Sequence, residues 1–384
     1  MGDANETTVT EGRFWLPDDR YRGYGRLEYS PEFGLRIHLV DTNLTGWTDE
    51  GLERPEAIDV LHGETLGGTP LTLLDVMPRN WSFQGVPPTG GDTLDAWVRR
   101  VVRGAWVDSD EEIQARRVGA SLSGLREFLT GGTVDGGVLA VPHEDPAFDS
   151  LVVDVGNGVQ LTLMASRQRS MSRTSETTRL TASVGWTFDE AVDLPSAERD
   201  YVRALQDLVL FATRRPSAVE RLSVDPEPDT IHSLEILQRP FPSAPDHDIY
   251  ALALNLRELE DPTALIVRWH ELRSDVGPVW DQFMSVLNRP QDVLESQLLG
   301  LLAYAEGYHR ALHDQPPLTK KQAKAAKAAI KKALEDDEVR RVYSTALSHA
   351  NSQTQRERLE ALTDRALEVL GEWCISTATT SASN

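Results

Sequence analysis

The sequence predicts an α+β protein, with a β-rich, sandwich-like N-terminal domain followed by an α-helical C-terminal domain. Apolar and polar residues alternate before about residue 190, and glycine and proline turns separate the alternating segments. After about residue 262 the apolar residues recur every three or four positions, as on a buried helix face. The 384 residues, 40% of them hydrophobic, are enough for two or three globular domains.

The N-terminal strands are predicted from a period of two residues. In the segment FGLRIHLV, Leu35, Ile37 and Leu39 fall on one face of a strand. Further along, Gly156–Gly158 form a Gly-Asn-Gly sequence that supplies the positive φ angles a tight hairpin turn needs. Several strands at this spacing favour a β-sandwich or a related curved sheet.

A helix is predicted over residues 196–214, where the period of the apolar residues changes. Leu205 and Leu208 lie on one stripe of this helix, and Pro216 ends it. We expect the two leucines to pack against the sheet, because an amphipathic helix buries its apolar stripe.

The C-terminal part is predicted to be helical throughout. One long helix carries a stripe at the spacing of buried residues, formed by Leu294, Leu298, Leu301, Ala305, Tyr308 and Leu312. The sequence therefore divides into a β-rich domain over 1–260, a helical domain over 261–373 and a disordered tail over 374–384.

All six lysines of the chain occur in one segment, LTKKQAKAAKAAIKKALEDDE. Thr319 and Gln322 form a capping box that starts its helix. A narrow arc of this helix contains Lys320, Lys324, Lys327 and Lys331. Charge runs on alanine-rich helices are usually solvated faces, and no aromatic residue is interleaved for base stacking. Two interpretations stay open: an exposed helix face, or a surface that binds RNA phosphates.

The segment AEGYHRALHD is the closest approach to an active-site pattern. Glu306, His309 and His313 share one flank of their helix, beside the predicted buried stripe, and are the candidate catalytic residues. Their spacings also suit metal ligands, but no second helix offers a matching set. The lone Cys374 excludes a multi-cysteine zinc site. We therefore expect no metal and no cofactor, and a polar helix edge is the simpler interpretation.

The formal net charge of −21 argues against nonspecific binding of nucleic acid by the whole surface. Any contact with nucleic acid must be local. The N-terminus lacks the pattern of a signal peptide, and no apolar run approaches a membrane span. We expect a cytoplasmic protein without a membrane partner.

The order of six segments resembles the ApeA family of bacterial abortive-infection proteins. The segments are GRLEYSPEFGLRIHLV, IDVLHGETLGGTPLTLLDV, VGASLSGLREFLTG, YVRALQDLVLFATRRP, ALIVRWHELRSDVGPVWDQFM and LESQLLGLLAYAEGYHRALH. The resemblance implies a role in phage defence. It also implies an N-terminal domain that senses a phage-derived trigger and a HEPN domain that cuts cellular RNA, such as tRNA, as a homodimer.

In such families, the catalytic signature is an arginine with a histidine four to six residues later, and the reaction needs no metal. Arginine can stabilise the developing charge of the phosphorane and histidine can move the proton. None of the nine histidines here has an arginine at that distance upstream. By this resemblance the chain is either a truncated relative or one that has lost the nuclease site.

The leading hypothesis is an abortive-infection protein with a sensing domain and a HEPN-like, RNA-targeting module. A noncatalytic regulatory or binding partner of an intact HEPN ribonuclease is the alternative. An unrelated hydrolase that uses Glu306 and His309 is the third hypothesis.

Overall fold

The structure is a computed structural model. It describes residues 7–17, 22–30, 33–40, 47–48, 51–52, 57–84, 91–130, 134–135, 138–139, 150–171, 176–227, 233–238, 254–287, 293–313, 319–333, 356–365 and 367–368. The chain forms two compact units, residues 1–270 and residues 271–384. The predicted disordered tail at 374–384 lies outside the described residues.

The first unit is built mainly from antiparallel strands. They are β1 (Thr8–Trp15), β2 (Gly23–Ser30), β3 (Gly34–Val40), β4 (Trp47–Thr48), β5 (Gly51–Leu52), β6 (Ile58–Thr65), β7 (Pro70–Gln84), β8 (Gly91–Arg103), β9 (Gln114–Leu122), β10 (Val134–Asp135), β11 (Val138–Leu139), β12 (Leu151–Asp154), β13 (Val159–Met171), β14 (Glu176–Asp193), β15 (Val219–Asp225) and β16 (Leu234–Gln238).

Six of these strands close into a barrel in the order β1, β2, β3, β8, β7, β6 and back to β1. Alternate residues of each strand point inward, so the barrel interior is filled by side chains. Its core contains Phe14, Leu35, Ile37, Leu39 and Val101, each at most 2% exposed. The stripe predicted for β3 is therefore confirmed.

The barrel continues into a wide sheet in the order β8, β16, β15, β9, β14, β13, β12. Strand β8 belongs to both parts, because β3 pairs with its first half and β16 with its second half. At the β12–β13 turn, Gly156, Asn157 and Gly158 have φ angles of 86°, 55° and 71°. The predicted turn is thus confirmed. The predicted curved sheet is also present, and its barrel strands close on themselves.

The first helix of this unit is α1 (Leu125–Thr130). A long, interrupted helix follows strand β14. That helix comprises α2 (Leu194–Ala197), a π-helical turn (Glu198–Val202) and α3 (Arg203–Thr213). Asp193 caps its start by accepting a hydrogen bond from the Ser196 backbone N–H at 2.9 Å, which lowers the pKa of Asp193. Leu205 and Leu208 are buried, as predicted for the 196–214 helix.

The remaining helices are a 3₁₀ turn (Leu256–Glu258), α4 (Pro262–Val276), α5 (Pro278–Leu287), α6 (Leu294–His313), α7 (Lys320–Ala333) and helical residues 356–365. The predicted α+β class, with strands first and helices last, is confirmed. None of the described helices is both long and apolar enough to span a bilayer.

Candidate functional site

Helix α6, which carries the predicted catalytic candidates, is held in close contact with α5. Gly300 and Gly307 lie at this contact. A Cβ added to Gly300 would be 2.5 Å from Val286, and one added to Gly307 would be 2.8 Å from Val279. Those distances are too short for any real contact, so only glycine allows the two helices to approach this closely.

Aromatic rings fill the rest of the α5–α6 contact. The ring of Phe283 stacks on that of Tyr304 with centroids 4.3 Å apart, and Tyr308 follows one turn later. Burial, together with the nearby Tyr308 hydroxyl, raises the pKa of Tyr304 to about 12. Tyr304 therefore keeps its proton at neutral pH and cannot act as a base there.

Glu306 connects α6 to the helical residues 356–365. Its Oε1 accepts a hydrogen bond from Arg310 on the next turn and another, at 3.0 Å, from Nη1 of Arg358. Arg358 is only 2% exposed, so its pair with Glu306 is shielded from water. The same two helices line an open groove of about 720 Å³ that includes Leu302 and Leu359.

Of the two predicted catalytic histidines, the structure describes the side chain of His309 but not that of His313. His309 is 3% exposed, so it is buried rather than displayed on the helix flank, and the predicted position beside the buried stripe is wrong for this residue. His313 is the last residue of α6, and its side chain lies outside the described part of the chain. The structure therefore brings Glu306 and Arg358 together, while the catalytic roles remain predictions.

The predicted buried stripe on α6 is also wrong at its first three positions. Leu294, Leu298 and Leu301 are 75%, 55% and 39% exposed. The reason is that α5 packs on the opposite side of α6, where Gly300 and Gly307 lie. An open leucine face is left on the first half of α6.

The lysine helix α7 starts with the predicted capping box. The Thr319 hydroxyl accepts a hydrogen bond from the Gln322 backbone N–H at 3.3 Å, and Gln322 Oε1 accepts from the Thr319 backbone N–H at 3.1 Å. Lys324 is exposed and Lys327 is half-buried. Helix α7 also contains Lys320 and Lys331, whose side chains are outside the described set. Ile330 on the other side is 43% exposed, so the described faces of this helix are solvated.

A second polar cluster lies in the first unit, where the barrel, the wide sheet and the long helix meet. Arg100 on β8 is 6% exposed and donates to Glu198 at 2.7 Å and to Gln238 at 3.1 Å. It also forms an ion pair with Asp110 at 3.0 Å. Glu198 begins the π-helical turn, a local widening that is frequent at functional sites.

Asp110 pairs with both Arg99 and Arg100, so the Arg100 cluster includes the neighbouring arginine as well. Arg99 donates to Asp110 at 2.7 Å and also binds Asp75, a residue with a φ of 52°. Burial raises the pKa of Glu198, although the facing Arg100 opposes that shift. The cluster thus ties three elements together with ion pairs that are expensive to break singly.

Sequence reasoning missed both buried arginines. Arg100 is one of three arginines in the strand WVRRVVR, and Arg358 is one of several in RERLEALTDR. Nothing in either segment distinguishes the buried arginine from its exposed neighbours. Only the pairing partners, distant in sequence, reveal them. Within the described residues, His, Cys, Asp and Glu side chains form no group of three that could hold a metal ion.

The barrel, its extension into a wide sheet and the following helices define a two-part α+β protein. Residues 10–263 match the family model of the ApeA N-terminal domain 1. The chain therefore belongs to the ApeA N-terminal domain family, which associates it with anti-phage defence. Neither the curated proteins nor the solved structures give a match.

Proposed function

We propose that this chain is an abortive-infection protein whose barrel domain senses a phage-derived trigger and whose C-terminal helices form a HEPN-like module that targets RNA. The observation that carries the proposal is the family match over residues 10–263, since it covers all but the first two residues of the barrel and the whole wide sheet. The resemblance of the following helices to an ApeA-like HEPN domain supports the second half.

Helix α7 is the proposed RNA-facing surface. It holds all six lysines of a chain whose net charge is −21 and contains no acidic residue, so this helix carries a local cluster of positive charge. Lys321, Lys324 and Lys332 are exposed and make no ion pair with any described residue. Their charges are available to phosphates, which bind by releasing condensed counterions.

The burial of Arg358 supports RNA binding without RNA cleavage. Arg358 is shielded and bound to Glu306, so its guanidinium is not displayed to a transferring phosphoryl group. His309 is buried as well. This arrangement favours the alternative function, a noncatalytic partner of an intact HEPN ribonuclease, over a self-sufficient nuclease.

The test of RNA targeting compares two variants of equal net charge. Lys324→Gln with Lys327→Gln removes two positive charges from the lysine arc, while Ala326→Glu with Ala329→Glu adds two negative charges on the opposite side of α7. At 0.1 M salt the lysine pair should weaken tRNA binding by about twentyfold and lower the salt slope by about 1.4, the value for two phosphate contacts on single strands.

Equal losses in both variants would mean that net charge, and not this helix face, controls binding. Cleavage is assayed on the same tRNA and on total RNA, with and without phage lysate. We expect no cleavage by the chain alone. Cleavage that disappears in a Glu306→Ala, His309→Ala double variant would overturn the noncatalytic proposal and make Glu306 and His309 the candidates for the active site.

A second copy of the chain is the proposed partner of the helical unit. Leu294 and Leu298 leave an apolar face open to solvent, and such faces usually mark a protein interface. HEPN domains act as dimers by the resemblance described above. Leu298→Glu should convert a dimer to a monomer in light scattering after size exclusion. A wild-type chain that is monomeric at micromolar concentration would contradict this part of the proposal.

A further inference from the structure

A cleft of about 350 Å³ opens on the outer face of the barrel, on the four adjacent strands β2, β3, β8 and β7. Its lining includes three arginines, Arg26, Arg36 and Arg79, and one tryptophan, Trp97. These residues lie within the family match over 10–263, and the proposed RNA-facing helix contributes none of them. A volume of this size suits a small ligand, because small-molecule sites occupy roughly 300–1,000 Å³.

The strand register assembles the cleft from residues far apart in sequence. Arg36 on β3 lies opposite Glu28 on β2 and opposite Trp97 on β8. Arg79 reaches the same place because the register between β7 and β8 shifts between Pro78 and Asn80. A bulge of this kind re-aims a side chain, and bulges are frequent beside binding sites.

Two of the three arginines are not neutralised by the acidic residues of the cleft. Glu28 forms an ion pair with Arg26 at 2.7 Å, and Asp95 pairs with His38 at 2.5 Å. Arg36 and Arg79 make no ion pair with any described residue. The Nε of Arg36 is shielded from solvent and lacks a hydrogen-bond partner among the described residues, and buried donors of this kind usually have one.

The uncompensated guanidinium groups rest against aromatic rings. Arg36 lies 4.1 Å from the centroid of Trp97 and 4.9 Å from that of Phe33, and Arg79 lies 5.8 Å from Trp97. A guanidinium stacked on a ring uses its face, so its N–H edge remains available for a bidentate anion. Phosphate oxygens match that edge.

We propose that this arginine–tryptophan cleft binds a free nucleotide. Arg36 and Arg79 would hold the phosphate groups, and Trp97 would provide an aromatic surface for the base. Glu28 and Asp95 are carboxylates at the cleft, able to accept hydrogen bonds from sugar hydroxyls or from base amino groups.

Those same carboxylates disfavour a nucleic acid strand, which needs a continuous track of positive charge. The inference gives a ligand class to the proposed sensing domain and in that respect rests on the proposed function. The binding itself is independent of whether α7 contacts RNA.

The test is isothermal titration calorimetry of the full chain with AMP, ATP and GTP, beside sodium tripolyphosphate and a ten-nucleotide RNA. We expect at least one nucleotide to bind with a Kd in the micromolar range, roughly 1–100 µM. Arg36→Gln and Arg79→Gln should each weaken binding at least tenfold. Trp97→Leu should weaken nucleotide binding more than tripolyphosphate binding, because it removes the contact with the base in addition to the ring on which Arg36 and Arg79 rest.

The matched control is Arg103→Gln, which removes the same charge from an exposed position on β8 where Arg103 pairs with Glu235 outside the cleft. It should bind nucleotide as the wild type does. Because Arg36 contacts two rings, Arg36→Lys is the variant to use if Arg36→Gln does not fold. It keeps the charge, removes the planar fork and should also weaken binding at least tenfold.

Three results would overturn the inference: no nucleotide bound at about 1 mM, equal affinity in the arginine variants and the wild type, or RNA bound more tightly than any nucleotide at this cleft. Nucleotide binding in a chain that does not bind tRNA would leave the inference standing while the RNA-targeting proposal fails. Binding of tRNA by a chain that does not bind nucleotide would overturn the inference and leave the RNA-targeting proposal standing.

Discussion

The chain has two basic surfaces that are built in opposite ways. The lysine helix α7 takes its charges from one short run of sequence and needs only a capped helix to display them. The arginine–tryptophan cleft takes its arginines from β2, β3 and β7 and its tryptophan from β8, and these side chains are positioned by strand register and, for Arg79, by a bulge. The first surface is local, whereas the second depends on the whole barrel.

This difference determines how each surface should fail. A local surface responds to changes in its own helix and tolerates damage elsewhere, because neighbouring turns supply all its geometry. A surface assembled from distant strands is lost when the barrel opens, even though none of its own residues has changed. Variants that damage only the barrel or only α7 should therefore affect one surface and spare the other.

The largest effect is expected at Arg100, the buried residue that joins the barrel to the wide sheet and the long helix. Arg100→Met leaves Glu198 buried without its partner and should cost about 3–5 kcal/mol of unfolding free energy. Urea unfolding measures the loss. In the variant the cleft should lose affinity for nucleotide, while tRNA binding by α7 remains.

A second variant tests the cause of that loss. Arg100→Met combined with Glu198→Met removes both charges of the pair and should recover most of the stability, because no unpaired carboxylate of this pair is left inside. If the double variant is no more stable than the single one, then Arg100 contributes through packing and not through its charge.

Closure of the barrel is expected to give the next largest effect. A Cβ on Gly12 would lie 2.4 Å from the carbonyl oxygen of Glu64, so Gly12→Ala must push β1 away from β6. We expect a loss of about 3 kcal/mol in urea unfolding. The control is Gly67→Ala, where the nearest atom is 3.7 Å away and stability should change little.

The lysine helix should respond to its cap. Thr319→Ala removes the hydroxyl that accepts from the Gln322 backbone N–H and should destabilise α7 by about 1 kcal/mol. Circular dichroism should show less helix, and tRNA affinity should fall slightly. Thr319→Ser keeps the hydroxyl and serves as the control. A change in nucleotide affinity in Thr319→Ala would show that the two surfaces are coupled after all.

The last effect is absent at neutral pH and concerns the packing of α6 on α5 under alkaline conditions. The pKa of Tyr304 is raised from 10 to about 12, so between these pH values the unfolded chain binds fewer protons than the folded one. Stability must therefore fall as pH rises through that window. Tyr304→Phe removes this contribution, and its melting temperature should fall less between pH 10 and 12. Parallel curves for the two proteins would contradict the assignment.

Sequence periodicity was sufficient to predict the class of fold, but it could not predict that the N-terminal sheet closes into a barrel. The alternation at Leu35, Ile37 and Leu39 predicts a half-buried strand correctly, because period two follows from strand geometry alone. Whether the sheet becomes a sandwich or a barrel depends on the pairing of β1 with β6 and of β3 with β8. Those pairings join segments tens of residues apart, and nothing local specifies them.

The same limit applies to the candidate sites. The lysine run is visible in the sequence because its members are neighbours along the chain. The spacing of Leu294, Leu298 and Leu301 is that of a buried stripe, yet α5 packs on the glycine side of α6 and leaves these leucines exposed. Periodicity gives the faces of a helix, but only packing decides which face is covered.

Strand β8 has a consequence for how the first unit unfolds. Along one edge its residues 93–98 pair with β3 and residues 100–103 pair with β16, while β7 pairs along the other edge. The barrel cannot lose β8 without opening the wide sheet as well. The two should therefore melt in a single cooperative step, and the β8 amides should exchange with deuterium only through global unfolding.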